Sequence, residues 1–459
     1  MKFRILYLAI ALVLVVTMLA ACAQPTPEPP APEEPAAEEP AAGEPAEEMP
    51  EEGGLPPIVV AVWSSPEQEN LAKVAEQYTK DTGNEVVVEE IAREAYYDKL
   101  TTTFVAGGSD YDVAYIMSDW PPAWVEADGL QDLNQFYEDP NVADPSFSID
   151  IFRPSVDPFE FDGKVFALPS EGDTAWLWYR KDVLEEAGLE VPQTWDELLE
   201  VARAVNNPPE MYGMVIGVKP DEAIWDFMYY LFGHGGGILD ENNNPIVNNE
   251  QGVAALEFYA SLLEEGLVPP DVPTYGYNEI LTTLQEGKAA MGIEWMAATQ
   301  TLQDCEQSPK VCKDGETQLL YTKVPGVEIG GEVVRSTGGS QWGWGIPAGA
   351  QNAEAGYKFI EYLTGKNGAS QWALNGGIPS NTEALSDPAV VAEIPQFELL
   401  AEVMPFRQIV PATLVTAEMV NELNNFIVAA VTGEMTAQEA LDGAAAKMEE
   451  LMAEAGYYD

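Results

Sequence analysis

The chain has 459 residues, with 77 acidic against 21 basic side chains and a formal net charge of −56. A field of that sign repels nucleic acid and offers no attraction to anionic lipid, and it disfavours an anionic ligand except where local dipoles overrule it. The length suffices for two or more packed domains even after a leader and a linker are set aside.

In chain order, Lys2 and Arg4 precede the apolar run Ile5–Met18, which is followed by Leu19-Ala20-Ala21-Cys22. Charged, apolar and small-residue regions in that order predict a secretory signal peptide over 1–21. The run is too short to span a bilayer comfortably. A Cys directly after Leu-Ala-Ala is similar to the lipobox of bacterial lipoproteins. That likeness implies that Cys22 is the lipidated first residue of an exported protein, tethered to the cell membrane on its periplasmic side or at the cell surface. Residues 23–57 are mainly Pro, Glu and Ala, with ten acids and no base. Such a stretch buries too little apolar surface to offset its ordering entropy, so a disordered linker is expected over 22–57. Proline would extend it as a spacer of up to about 100 Å.

Beyond the linker, strand and helix alternate. Ile58–Trp63 is a short β-branched run, and Ser65-Pro66-Glu67-Gln68 carries the cap and first-turn proline of a helix. Leu71, Val74, Ala75 and Tyr78 recur at helical spacing until Gly83. Glu85–Ile91 reads as a strand, Tyr96–Val105 as a helix, Tyr111–Ile116 as a buried strand. Lys164–Leu168 and Ala175–Tyr179 read as two further strands. Thr194-Trp195-Asp196-Glu197 is a capping box, and Asn249 caps a helix with Leu256, Tyr259, Leu262 and Leu263 on its apolar face. Ala289–Ile293 and Trp342–Ile346 are strand-like. After Asn352 the chain is largely helical, broken at Gly365, Pro379, Pro395, Pro405 and Pro411. There is no internal repeat, and no later stretch is long and apolar enough for a second membrane span. Alternation of this kind predicts an α/β architecture, mostly parallel sheet covered by helices on both faces.

Cys305 and Cys312, with six residues between them, are expected to form a disulfide in an exported protein, closing a short loop worth roughly 2.5 kcal/mol. No metal site is expected. The single histidine, His234, is remote from these cysteines, and no nucleophile elbow accompanies it. Asp240-Glu241-Asn242-Asn243-Asn244 opens like a calcium loop, but Pro245 and Gln251 stand where the turn glycine and final acid belong. A polar hairpin turn fits better. The sequence calls for no cofactor.

The order of landmarks along residues 58–459 resembles the family 1 extracellular solute-binding proteins, the maltose-binding-protein-like receptors of ABC sugar importers. The likeness rests on Glu69-Asn70-Leu71, Tyr78 to Gly83, Tyr111-Asp112-Val113 leading to Ser118-Asp119-Trp120, and Gly163-Lys164 to Pro169. It continues through Tyr179-Arg180-Lys181-Asp182, Val191 to Leu198, Phe258 to Gly266, Gly287 to Met291, Gly338-Gly339, Ile346-Pro347 and Gly376-Gly377-Ile378-Pro379-Ser380. It implies a two-lobed, type II periplasmic-binding-protein fold, two mixed sheets flanked by helices with three crossing hinge segments. Lobe 1 would comprise 58–168 plus 342–404, and lobe 2 172–338 plus 407–459. Hinge closure around solute would present a closed shape to the permease subunits, and the receptor would act as a monomer.

A sugar needs aromatic faces for its C–H surfaces and fixed polar groups for its hydroxyls, in a cleft of mostly apolar surface. Trp63 ends the first strand and Asp119 and Trp120 follow the third, at the edge where open α/β sheets place ligands. In the resembled family an acid at the position of Asp119 bonds sugar hydroxyls; capping and packing are the plainer roles for Asp119 and Trp120. Glu67 lies in a first helical turn, where the dipole favours an acid on its own account. Asp173, with Glu171 as near alternative, stands where the family carries a ligand-binding acid after the first crossing. Trp225 and Trp295 resemble its stacking aromatics, and Gly339 could present backbone amides at close approach. Arg407 bonds either a ligand hydroxyl or a buried acid. The maltose binder's last stacking Trp, after Pro411, has no aromatic counterpart here.

These features point to a non-enzymatic receptor that captures a sugar or oligosaccharide and delivers it to an ABC importer. Two other readings remain open from the sequence. A receptor for a cationic solute such as a polyamine fits the acidic charge, and a tethered glycosidase would need two carboxylates at a defined separation across a cleft.

Overall fold

A computed structural model describes residues 56–64, 66–152 and 155–458. The expected signal peptide, Cys22, the linker up to residue 55 and the Ser65 cap lie outside the described residues, as do the side chains of 66–69, Glu67 included. No helix among the described residues is long and apolar enough to cross a membrane.

The chain opens with β1 (Ile58–Trp63), α1 (Pro66–Thr82), β2 (Val86–Ile91), α2 (Arg93–Val105), β3 (Val113–Met117) and α3 (Pro121–Glu126). A long strand, β4 (Ala167–Arg180), follows, then α4 (Trp195–Val205), β5 (Tyr212–Val215), α5 (Ala223–Gly233), α6 (Glu250–Glu264) and β6 (Ala289–Trp295). The rest comprises β7 (Leu319–Thr322), β8 (Thr337–Gly345), α7 (Ala353–Thr364), α8 (Lys366–Leu374), short helical turns to Phe406, β9 (Arg407–Gln408), α9 (Thr416–Val431) and α10 (Ala437–Glu454).

The strand order is β2-β1-β3-β8-β4-β6-β5, with β7 also on β4 and β9 on β8. β1 runs parallel to β2 and β3, and β5 parallel to β6, as βαβ connections require. β8 is antiparallel to both β3 and β4. The mixed character therefore arises where the chain returns through the middle.

The two strands expected at 164–168 and 175–179 largely merge. Only Lys164–Val165 pairs separately, in a small hairpin with Glu160–Phe161. β4 runs unbroken for 14 residues. Its first half pairs with β8 and its second half with β6 and β7. Pro169 sits at an irregularity where Trp342 faces Glu171 and Gly343 faces Pro169, with Gly172 just beyond it. Proline offers no N–H, so a bulge is where it can remain inside a strand. The backbone freed there pairs with a different segment: Gly172 N–H donates to Ile378 at 3.2 Å and Ser380 N–H to Ser170 at 3.0 Å.

Three crossings thus join two bodies, namely β4, β8 and the β9 segment, which pairs in parallel with Thr337 and Gly338. One core gathers Val60, Ile116, Trp124, Trp344 and Phe359 beneath α1, α2 and α7. The other gathers Trp195, Phe227, Tyr230, Tyr259, Leu423 and Met448 from α4, α5, α6, α9 and α10. A third cluster packs Phe397, Leu400 and Val403 against Trp176, Trp178 and Met296.

Local signals read from sequence recur as built. Thr194 and Glu197 form the capping box of α4, and Asn249 accepts from Gly252 N–H at the start of α6. Cys305 and Cys312 are disulfide-bonded. The Asp240 carboxylate takes the N–H groups of Asn242 and Asn244, each at 2.8 Å, inside a hairpin closed by a Leu239–Pro245 bridge. His234 stacks on Trp195 with centroids 5.0 Å apart and bonds the Tyr230 carbonyl, a packing role.

Candidate functional site

The sequence-predicted residues gather along the crossing strands in three groups. At the first body's end, Trp63 at the tip of β1 meets Trp342 of β8 with centroids 4.6 Å apart. Trp120, in the turn after β3, meets the same ring edge-on at 5.3 Å. Both Trp63 and Trp120 remain partly exposed, whereas Trp342 is buried. Tyr115 of β3 stacks on Trp342 at 4.8 Å. Asp119 lies in the same turn as Trp120, and one of its carboxyl oxygens is buried without a hydrogen-bond partner. Burial raises this acid from 3.8 to about 6, because the charged form loses hydration that its own backbone N–H offsets only in part.

The second group is the crossing itself. Glu171 is buried, and Tyr115 donates to its carboxyl at 2.7 Å. Asp173 is buried two residues on, and its carboxyl accepts the neighbouring Thr174 N–H at 2.8 Å. Gly339 faces Thr174 across the ladder. A Cβ built on Gly339 would stand 2.6 Å from the Asp173 carbonyl and still closer to the Arg407 side chain. The close approach foreseen for Gly339 is therefore made by Arg407. The Arg407 guanidinium donates to the carbonyls of Ser340 at 2.9 Å and Asp173 at 3.2 Å, and to the Gln341 side chain. Its role is to tie all three crossings together. Burial lowers its pKa to about 10, while the charge of Asp173 pulls the other way.

The third group belongs to the second body. Trp295 ends β6 opposite Ala175 and stays half-buried, its ring edge-on to Tyr229 at 5.5 Å. Trp225, in the first turn of α5, lines a cavity of about 30 Å³ together with Glu222, Asp226, Tyr229, Glu294 and Trp295. Glu294 accepts the Trp295 N–H at 2.8 Å through one oxygen, and its other oxygen has no partner. Desolvation drives its pKa well above the carboxyl range, reinforced by Asp226, Asp173 and Glu222. Asp226, bonded by Gly217 N–H at 2.9 Å and the Tyr259 hydroxyl at 2.6 Å, is raised by burial to about 7.

A larger groove of about 1020 Å³, lined by Tyr78, Asp144, Phe147, Lys358 and Tyr362, lies apart from these groups on the first body. Its lining holds none of the indoles or unpartnered acids just described. Volume alone does not select a site.

The sequence profile of the bacterial extracellular solute-binding proteins matches residues 63–369, which include every group above except Arg407. The chain belongs to that family. Membership places this solute-binding protein outside the cytoplasm. A mannitol-binding protein from Pseudomonas aeruginosa is 26% identical over 416 residues, covering 85% of this chain and 91% of its own. A probable amino-acid ABC transporter periplasmic-binding protein from Sinorhizobium fredii is 24% identical over 403 residues, covering 85% and 88%. The structure of maltose-bound MalE3 from T. maritima superposes with a TM-score of 0.73 at 25% identity, covering 86% of this chain and 99% of its own. The fold is the two-lobed, type II periplasmic-binding-protein arrangement.

Sequence reasoning about this solute-binding protein missed Tyr115, Tyr229, Asp226, Glu294 and the central place of Trp342. Two of them carried a readable signal. Glu294 is the single charged residue of the strand AAMGIEW, and Asp226 the single charged residue of the helix AIWDFMYYLFG. A lone acid in an otherwise apolar element is either bonded internally or meant for a partner.

Proposed function

We propose that this solute-binding protein captures a sugar, oligosaccharide or polyol in the cleft along β4 and β8, and delivers it to ABC permease subunits. The observation that carries the reading is the pairing of half-buried indoles at both ends of the crossing with buried acids between them. Indole faces suit the C–H surfaces of a sugar ring, and fixed carboxyls accept from its hydroxyls. From Glu171, opposite Trp342, to Ala175, opposite Trp295, the strand advances roughly 13 Å. That span favours a ligand longer than one pyranose ring. The names of the mannitol- and maltose-binding relatives agree with the class.

Asp119, Glu171, Asp173, Trp63, Trp120, Trp225 and Trp295 would contact ligand; Gly339 and Arg407 would hold the crossing on which closure turns, and Glu67 is retained as a candidate at the α1 N-terminus. The lobes would be 58–168 with 342–404 and 172–338 with 407–459, acting as a monomer without enzymatic activity. Cys22 would carry the lipid, with the acidic spacer holding the receptor near its permease.

Calorimetry of the soluble domain against neutral mono- and oligosaccharides, polyols and amino acids tests the reading. Saturable binding of at least one carbohydrate is expected. Binding confined to amino acids, or to any other class without carbohydrate character, sinks it.

A further inference from the structure

Resting on the reading of this cleft as the solute site, we infer that its lobe-2 end is built for a protonated primary amine seated at Glu294. Glu294 is 2% exposed with one oxygen unpartnered, and Tyr229 is 1% exposed with its hydroxyl unpartnered. Both line the cavity of about 30 Å³ under Trp225 and Trp295. Leaving buried polar groups unmet is costly, so their retention at a cleft points to a ligand that meets them.

Charge and valence then narrow the ligand. Asp226 and Glu222 line the same cavity. Lys219 is engaged with Glu222 at 2.7 Å and Asp221 at 3.2 Å. Arg407 is committed to the carbonyls of Ser340 and Asp173. The cavity therefore holds an excess of acid that its neighbouring bases do not offset, and burial raises Glu294 and Asp226 alike. An ammonium brings three donors, a positive charge and no acceptor, whereas a hydroxyl brings one donor, two acceptor lone pairs and no charge. A hydroxyl could donate to Glu294 and accept from Tyr229, so hydrogen bonding alone does not separate the two. The charge does, since the cavity is lined by Glu294 and Asp226 with no base among its lining residues, and Lys219 is engaged with Glu222. A cavity of about 30 Å³ has room for roughly two water-sized groups, enough for an amine and its first carbon but not for a ring. The body of the ligand would then lie outside, on the faces of Trp225 and Trp295. A metal ion suits the place less well, since no three ligating side chains among the described residues are arranged to hold one.

Two sources share this chemistry, an amino sugar and a linear polyamine, and the experiment separates them. Calorimetry on the full soluble domain, at a pH where the amine is protonated, would compare glucosamine and its oligomers with the N-acetylated and the plain hydroxyl counterparts, and with putrescine and spermidine. The expected result is that an aminated saccharide binds about tenfold tighter than both neutral counterparts, the gain of one charge-assisted hydrogen bond. Glu294→Gln should narrow that ratio to below about threefold, and Tyr229→Phe should reduce it less, with folding checked by thermal melting. Equal affinity for aminated and neutral saccharides overturns the amine site and leaves the carbohydrate reading standing. Binding of the polyamines with no saccharide bound supports the amine site and ends the carbohydrate reading. Failure of every amine probe overturns the amine site.

Discussion

Tyr115 of β3 donates a 2.7 Å hydrogen bond to the buried carboxyl of Glu171 on β4, reaching across the β8 strand that lies between them. The same phenol ring stacks on Trp342 at 4.8 Å, so one residue sets both an acid and an indole. Tyr115→Phe keeps the ring and removes the bond. Removing one partner of a buried hydrogen bond costs about 1–3 kcal/mol, and the unfolding free energy should fall by that order. Solute affinity should weaken severalfold as Glu171 loses its orientation. An unchanged denaturation midpoint would show that the bond contributes nothing.

Trp295 and Trp342 should respond differently to truncation. Trp295 is half-buried at the end of β6, so Trp295→Ala should cost at least about tenfold in affinity for the best-bound saccharide with a small change in stability. Trp342 is buried among Trp63, Tyr115 and Trp120. Trp342→Ala should lower stability by roughly 3–5 kcal/mol as well as affinity. Calorimetric titration paired with urea unfolding separates the two. Equal stability losses would contradict the assignment of Trp295 to the cleft surface.

Arg407 and Gly339 define the rigidity of the crossing. Arg407→Met removes the donor shared by Asp173, Ser340 and Gln341, with an expected loss of roughly 2–4 kcal/mol. Gly339→Ala would press a methyl group against the Asp173 carbonyl, 2.6 Å away, and against Arg407. Overpacking of that kind costs about 1–3 kcal/mol. Combining the two in one chain should cost less than the sum, because the smaller Met relieves the alanine. Strict additivity in a denaturation cycle would deny that the two side chains compete for one space.

The buried acids predict an inverted pH response near neutrality. Asp226 is raised from 3.8 to about 7, and Asp119 from 3.8 to about 6. Between pH 4 and 7 the folded protein holds protons that the unfolded chain has released, so stability is greatest at the acidic side of that window and falls as pH rises through it. Relief of the net negative charge on acidification acts in the same direction. Thermal midpoints should therefore be higher near the acid end than at pH 7.5, and Asp226→Asn should flatten the slope. A midpoint that climbs with pH across the window would refute this account. Below about pH 4 the trend reverses weakly, as the partly exposed Asp139, Asp240 and Asp304, whose pKa values are lowered by their hydrogen bonds, lose their bonded charge.

Much of the architecture was legible because its causes are local. Alternating strands and helices, the Thr194 box, the Asn249 cap and the Asp240 hairpin depend on residues a few positions apart. The ends of β1 and β3 also put Trp63, Asp119 and Trp120 at one sheet edge, since topology alone decides where strand ends meet.

What the sequence by itself determined, then, was the alternating α/β plan and the aromatic and acidic content at the strand ends. Tertiary structure alone decided that β4 passes unbroken from one lobe to the other, because a strand containing Pro169 and Gly172 survives only when 378–380 takes up the freed backbone bonds. It alone decided that Arg407 braces the crossing, and that one oxygen of Glu294 and the hydroxyl of Tyr229 go unmet. A hydrogen bond left unmade is a property of every neighbour in space at once, and no spacing along the chain records it.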